Sequence, residues 1–349
     1  MLPRSVPPRF LLALMWCVGP ALGHESPVVE VIGQYDNALG SSDAASQGVI
    51  GAEQLGSRPL YRPGEALESI PGMVVTQHSG DGKANQYFLR GMNLDHGTDF
   101  ATTVNGVPIN LPSHAHGQGY SDLNFLITEL VSRVDYRKGP YAAADGDFSS
   151  AGSAHFVYRT RLERPLAEFA LGPNGYRRAW VAGSKEVGEG IRLLLAGERV
   201  NHNGPWTVPE GLRKANAQLM LSGGSAREGW STSLSAYSAH WHATDQVPQR
   251  LIDAGSYLGQ PFGRFDSLDA SDGASTRRSS LSGRWHSADA REMTQMNWYL
   301  LQYDLSLFSN FTYRLERASD QFAQTDHRTV LGGHAFHSWF AQLEGQRTV

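Results

Sequence analysis

The chain has 349 residues, and 30 Lys and Arg against 34 Asp and Glu give a formal net charge of −4 at pH 7. The sequence lacks a basic cluster that would neutralise phosphates, which excludes a typical nucleic-acid-binding protein. Charged residues make up only 18% and glycines number 38, a mixture that favours turn-rich β-structure over a helical bundle.

Residues 1–23 are predicted to be a cleaved export signal. Arg4 and Arg9 lie around the start of an apolar run over residues 10–18, and Ala21 and Gly23 supply the small residues of a cleavage site. The apolar run is too short to span a bilayer and Pro20 interrupts it. The single cysteine lies in this segment, so we expect neither disulfides nor thiolate metal sites in the mature chain.

Residues 41–159 have the mixed pattern of a compact α+β domain. Helices are predicted over residues 65–70, before Pro71 and Gly72, and over residues 123–131. Short β-prone runs lie between and after them, and Asn105-Gly106 is a strong hairpin turn. The predicted strands are Met73–Thr76, Tyr87–Arg90, Phe100–Val104, Val107–Ile109 and Val131–Tyr136.

After about residue 160 apolar and polar residues alternate with a period of two. Ala215 and Ala217 alternate with Asn216 and Gln218, and residues 301–307 repeat the pattern with Leu and Tyr. A soluble sandwich would carry many Lys and Glu on the polar face, whereas here that face is Ser, Asn and Gln. This predicts membrane β-barrel strands with the apolar face toward lipid, and a secreted β-sandwich remains the alternative.

Four blocks in order resemble the plug domain of TonB-dependent outer-membrane receptors. They are Pro63–Val75, the Arg-Gly block Phe88–Gly91, the turn block Val104–Ile109, in which the family usually has Asp at position 105, and Arg133–Pro140. The resemblance implies an α+β plug domain followed by antiparallel transmembrane β-barrel strands in the bacterial outer membrane. It also implies an active-transport receptor and no enzyme.

The resemblance implies a domain order of signal peptide 1–23, periplasmic leader 24–40, plug 41–159 and partial barrel 160–349. A barrel of about 22 strands needs on the order of 450 residues, and the last segment suffices for about eight or nine strands. We therefore expect the chain to be a fragment or truncated product. The cargo implied by the family is a scarce metal ion or a siderophore-like metal chelate.

The leader is expected to hold the energy-coupling segment of the family. The segment consists of Pro27, Val28, Val29, Glu30, Val31 and Ile32. Its β-branched residues and leading proline suit an extended strand that adds to a partner protein. The implied partner is the TonB-type energy-transducing protein of the inner membrane, and the segment's alternative role is the first strand of the plug or a disordered leader.

Ligand binding is expected in the plug loops, which are rich in histidine and aspartate. The candidates are His78, Asp81, Asp95, His96, Asp99, His114, His116 and Tyr120. His114 and His116 are the predicted metal pair, because imidazole and carboxylate suit zinc, copper or nickel. Histidines of the barrel segment that could add ligands are His202, His240, His242, His334 and His337. The alternative is that the plug histidines only hydrogen-bond plug to barrel.

Two basic plug residues are predicted to be structural. Arg90 and Lys138 stand beside Gly91 and Gly139, and a buried cation needs a partner. We expect each to pair with a carboxylate of the barrel and hold the plug.

Two other functional classes remain open at this point. One is a secreted or periplasmic His-rich metal-binding module or metallohydrolase. The other is a signalling transducer of the same family, which is disfavoured because only about 20 residues separate the predicted cleavage site from the plug.

Overall fold

The computed structural model describes residues 40–242, 245–310, 312–313, 320–343 and 346–348, and side chains within residues 44–340 of those ranges. The predicted export signal and the predicted energy-coupling segment lie outside the described residues. Helices in the described ranges are all too short or too polar to cross a membrane.

The first part of the described chain is built from nine short strands. They are β1 Gly40–Ala44, β2 Gln47–Gly51, β3 Met73–Thr76, β4 Gln86–Leu89, β5 Met92–Asn93, β6 Phe100–Val104, β7 Val107–Pro108, β8 Val131–Lys138 and β9 Gly152–Tyr158. Six of them form one sheet in the order β1-β2-β8-β9-β6-β7, and β3, β4 and β5 form a second. Strands β6 and β9 are parallel, and the other pairs in both sheets are antiparallel.

The Asn105-Gly106 turn has the predicted geometry. Its two residues have φ of 50° and 80°, as a tight hairpin between β6 and β7 requires. The first predicted helix is confirmed as the 3₁₀ helix Pro63–Ser69. The second prediction, residues 123–131, is wrong, because only Thr128–Leu130 forms a 3₁₀ turn.

The remaining helical elements are short. The α-helices are α1 Ala52–Gly56 and α2 Gln249–Ala254, and a third 3₁₀ turn is Ala143–Asp145.

The second part is an antiparallel sheet of eight neighbouring long strands, here called the wall. Its strands are β10 Leu166–Leu171, β11 Arg177–Gly188, β12 Ile191–His202, β13 Leu212–Gly224, β14 Glu228–His242, β17 Gly273–Ala288, β18 Glu292–Ser309 and β19 Phe322–Trp339, in that order. Small two-stranded pairs are β15 Ser256–Tyr257 with β16 Gln260–Pro261, and β20 Ala341–Leu343 with β21 Gln346–Thr348. The fold class, an α+β plug followed by antiparallel barrel strands, is confirmed.

Outward-facing leucines form a continuous row across the wall. The strand register places six of them side by side on neighbouring strands, namely Leu195, Leu219, Leu234, Leu281, Leu300 and Leu331. Their exposed fractions run from 36% at Leu219 to 78% at Leu331. A protein surrounded by water rarely leaves such a row uncovered, whereas the acyl chains of a bilayer would cover it.

The apolar residues at 301–307 face the opposite way from the prediction. Leu301, Tyr303, Leu305 and Leu307 are at most 5% exposed. The last three share a buried cluster with plug residues such as Tyr120. On the same strand, Met296, Trp298 and Leu300 face outward. A strand of 18 residues is longer than the roughly 9–11 that a bilayer needs, so its outward face becomes polar beyond the apolar band.

The plug packs directly against the inner face of the wall. One buried cluster joins plug residues such as Leu126 and Phe156 to Trp180 and Met220 of the wall. Gly82 has a φ of +89°, and a Cβ there would fall 2.4 Å from the Trp241 ring. Only glycine allows this close approach between the plug loop and the wall.

Candidate functional site

Three histidine side chains from separate plug loops contact one another near the inner face of the wall. Nε2 of His96 lies 3.3 Å from Nε2 of His78 and 3.2 Å from Nε2 of His116. His96 is only 4% exposed, and the other two rings are half-buried. We call these three residues the histidine cluster.

A buried asparagine holds the loops that carry the cluster. The Nδ2 of Asn110 donates to the carbonyls of Gly97, Phe100 and Gly119 at 2.7, 3.0 and 3.2 Å. Its Oδ1 accepts from the backbone N–H of Thr102 at 2.7 Å. One side chain thereby ties β6 to the loop after His96 and to the loop after residue 116.

Hydrogen bonds at Nδ1 fix the tautomers of two cluster members. His96 Nδ1 donates to the carbonyl of Asn85 at 2.9 Å. Gln324 of the wall donates Nε2 to the Ala115 carbonyl at 2.7 Å, so its Oε1 accepts from His116 Nδ1 at 3.0 Å. In neutral rings Nε2 then carries the lone pair, and the two facing Nε2 atoms are both acceptors.

The third imidazole has the opposite tautomer. Tyr313 donates its hydroxyl to Oε1 of Gln246 at 3.0 Å, and Nε2 of Gln246 donates to Nδ1 of His78 at 2.8 Å. The proton of His78 is therefore on Nε2, which donates to His96. The cluster is closed from the wall side by side chains that lie near strand ends or in the long connections.

The rings of the plug loops are neutral at pH 7. Burial, and then the neighbouring His116, lower the pKa of His96 to about 4. Burial also lowers the pKa of His114 to about 4 and lowers the pKa of His78 and His116. The positive charge of Lys83 also lowers the pKa of His78 and of His116, although its ammonium is paired with Asp245 at 2.5 Å.

The predicted His114–His116 pair is separated in the structure. His114 Nδ1 accepts from the backbone N–H of His116 at 3.1 Å. The ring stacks on Tyr120 at 4.1 Å, and its Nε2 lies 3.4 Å from the hydroxyl of Tyr303. Two residues apart, the side chains point to different neighbours, so His116 meets His96 and His114 does not.

The predicted aspartates fall in three different places. Asp95 lies at the edge of the cluster, with Oδ1 3.8 Å from Nε2 of His96. Asp99 accepts a hydrogen bond from the Ser150 hydroxyl and stands outside the cluster. Asp81 belongs to another group, in which its Oδ2 lies 2.6 Å from Nδ1 of His202.

The group around Asp81 contains a residue that sequence reasoning missed. Glu210, from the connection before β13, has a ligand oxygen within 4.8 Å of those of Asp81 and His202. Burial, and then the charge of Asp81, raises the pKa of Glu210 to about 7. Its sequence neighbourhood carries no motif that signals the contact, since the three residues come from separate elements.

The structure corrects the roles expected for the basic plug residues. Lys138 is buried, but its Nζ donates to the Pro71 carbonyl at 3.2 Å inside the plug. Arg90 is exposed, and with Gly91 it forms the turn between β4 and β5, at φ of 52° and 82°. Gly139 directly follows β8 and has a φ of 109°. Among described residues neither cation pairs with a wall carboxylate: Lys138 is held inside the plug and Arg90 is exposed in a turn.

Another plug residue, Glu129, makes an ion pair with an arginine of the wall. Glu129 accepts two hydrogen bonds from Arg178 at 2.6 and 2.9 Å. Arg178 also donates to the Glu198 carboxylate at 2.7 Å. The same carboxylate pairs with Nζ of Lys214 at 3.0 Å and accepts from Nδ2 of Asn216 at 2.6 Å. Charged residues on the inward positions of β12 and β13 were the sequence signal for this network.

Residues 41–153 match the family model described as TonB-dependent Receptor Plug Domain. The chain resembles solved structures of the unliganded ferric citrate transporter FecA (TM-score 0.69, 15% identity) and the copper transporter OprC (0.63, 17%). A third is the siderophore receptor PirA from Acinetobacter baumannii (0.60, 14%). These identities establish likeness of fold.

The coverage of these matches is unequal. They cover 85%, 86% and 86% of this chain but only 45%, 44% and 46% of the solved chains, respectively. The chain therefore spans about 45% of the length of the structures it matches. The matched proteins are named as transporters and a receptor, and they lend no support to a secreted metal-binding module or a metallohydrolase.

Proposed function

The chain carries the plug domain of the TonB-dependent receptors followed by the N-terminal part of their β-barrel, and on this premise we propose that it takes up a metal ion. Receptors of this family are outer-membrane proteins, and the leucine row on the wall fits that location. The histidine cluster is the proposed binding place of the cargo.

The cluster lies at the end of the wall where cargo would arrive. The connections near it are long, covering residues 203–211, 243–272 and 310–321, whereas those at the opposite end are short turns at 189–190, 225–227 and 289–291. In outer-membrane barrels the long loops face the exterior and the short turns face the periplasm. Gln246 and Gln324, which contact the cluster, mark its position at the exterior end.

The observation that carries the proposal is the pair of acceptors facing each other. Nε2 of His96 and Nε2 of His116 lie 3.2 Å apart, and with both rings neutral and protonated at Nδ1 each atom presents a lone pair toward the other. A cation placed against both atoms would accept both lone pairs. Neutral imidazoles are ligands for Cu²⁺, Zn²⁺ and Ni²⁺, so the proposed cargo is one of these ions.

His78 would complete the ligand set by changing its tautomer. Its Nε2 proton points at His96, so binding through this atom requires release of that proton or transfer to Nδ1. Asp95, at the edge of the cluster, adds a carboxylate that partly offsets the charge of the ion.

Transport would be driven from the periplasm. We infer that residues Pro27–Ile32 add as a strand to the TonB-type protein of the inner membrane, which then displaces the plug. The network between Glu129 and Arg178 would be broken in that step, because it joins plug to wall.

Uptake by cells tests the proposal. In a strain lacking the native gene, the full-length receptor should restore accumulation of isotopically labelled Cu²⁺ or Zn²⁺, and His96→Ala combined with His116→Ala should abolish it. His240→Ala, an exposed histidine on β14, serves as the matched control and should transport normally. Restored uptake of a ferric chelate alone, unchanged by the double substitution, would contradict the proposed cargo.

A further inference from the structure

Three metal-ligating side chains outside the histidine cluster converge where the plug meets the wall. Asp81 lies in the loop between β3 and β4, His202 ends β12, and Glu210 lies in the connection to β13. One ligand atom of each lies within 4.8 Å of the other two. The group thus links the plug to two neighbouring parts of the wall.

Glu210 is the member whose environment is incomplete. The residue is 1% exposed, and among described residues its Oε1 has no hydrogen-bond partner. The backbone N–H of Asp81 and the indole N–H of Trp206 donate to the Glu210 carboxylate. These bonds leave Oε1 without a donor. A buried carboxylate oxygen without a donor is costly unless a cation approaches it.

Asp81 presents one oxygen to this space. Its Oδ1 lies 3.3 Å from Nε of Arg62, and its Oδ2 lies 2.6 Å from Nδ1 of His202. Arg62 offsets the charge of Asp81, and Oε1 of Glu210 stays open to a cation when that carboxyl is ionised.

We propose that Asp81, His202 and Glu210 form a divalent-cation site that holds a resident ion and fastens the plug loop to the wall. Ligand atoms around a tetrahedral ion lie about 3.4 Å apart for bonds of about 2.0–2.1 Å. The atoms here need to shift by little more than about 1 Å to reach that spacing. Binding displaces the proton between Asp81 and His202, and also the proton of Glu210 where that carboxyl is protonated, and each leaves as solvated H⁺.

The donor set distinguishes this site from the histidine cluster. Two carboxylates and one imidazole accept harder ions such as Mn²⁺ as well as Zn²⁺, whereas imidazoles alone favour Cu²⁺ and Zn²⁺. The ion is structural here and not cargo, so the site stands whether or not the histidine cluster transports a metal.

The test uses the full-length receptor in detergent with His96→Ala and His116→Ala, which removes the cluster. Calorimetric titration with Zn²⁺, and loss of the free Mn²⁺ EPR signal, should each show one ion bound per chain. Adding Glu210→Gln, which keeps the shape of the side chain, should weaken binding by more than about 10-fold. Adding His202→Ala should do the same, and adding His240→Ala should change nothing.

Two results would overturn the proposal. One is the absence of Zn²⁺ and Mn²⁺ binding in the double-substituted background. The other is an affinity that survives both Glu210→Gln and His202→Ala. If His202→Ala does not fold, the isosteric Glu210→Gln decides the question alone, and because the cluster is already removed, failure of the cargo proposal leaves this outcome unaffected.

Discussion

Replacing Glu129 with glutamine tests how the plug is fastened to the wall. The substitution removes the charge that accepts two hydrogen bonds from Arg178 at 2.6 and 2.9 Å. Arg178 keeps its bond to Glu198 at 2.7 Å, so it does not become an isolated charge. Hydrogen bonds to charged groups contribute about 1.5–3 kcal/mol. Because the Glu129 side chain is 27% exposed, we place the loss at about 1–2 kcal/mol.

The assay is cleavage of the plug by a protease in the folded receptor. When opening is fast relative to cleavage, the rate follows the population of the open state. A loss of 1–2 kcal/mol therefore predicts cleavage about 5- to 30-fold faster than in the unmodified receptor.

A neighbouring residue supplies the control. Glu168 also approaches Arg178, at 3.8 Å, but its side chain is 53% exposed, so Glu168→Gln should change the cleavage rate less than about twofold. Equal rates for Glu129→Gln and the unmodified receptor, or equal acceleration by Glu168→Gln, would refute the assignment of Glu129 as the fastening residue.

Three further outcomes are expected. His116→Ala should weaken Cu²⁺ binding by more than about 10-fold and His114→Ala by less than about threefold, since only the former faces His96; equal losses in a titration would contradict the separation of the pair. Leu300→Lys should cost about 2–4 kcal/mol of folding free energy in lipid and Gln302→Lys about 0–1, measured by urea unfolding; similar costs would contradict the position of the apolar band. Val31→Pro should abolish Cu²⁺ uptake and leave binding unchanged, and retained uptake would exclude this position from energy coupling.

The sequence was sufficient where local chemistry decides the structure. The turn at Asn105 and Gly106 could be predicted because few other residue types adopt its positive φ readily. The strand Met73–Thr76 also has the predicted bounds. The period of two predicted the wall strands for the same reason, since side chains of a strand alternate between faces.

The sequence was insufficient where packing decides. Leu123, Leu126, Ile127 and Leu130 have helical spacing but are all at most 2% exposed, because the core surrounds this irregular segment on several sides. When the core surrounds a segment, its apolar residues can all be buried without a helix, so their spacing does not predict one. The same limit explains residues 301–307, whose apolar face meets the plug and not lipid.

The candidate sites divide in the same way. The plug loops could be identified as rich in metal ligands, and three of the predicted histidines do meet. Which of them meet depends on Asn110 and on Gln324, which lies more than 200 positions away from His116. Glu210 could not be found because its relation to Asp81 exists only after plug and wall have packed.

The most direct test of the proposed cargo site is the EPR spectrum of Cu²⁺ bound to the full-length receptor. Coordination by His96 and His116 predicts superhyperfine splitting from at least two equivalent imidazole nitrogens, lost when both residues are alanine and retained in His240→Ala. A spectrum without nitrogen coupling, or one unchanged by the double substitution, would show that the facing imidazoles do not hold the metal.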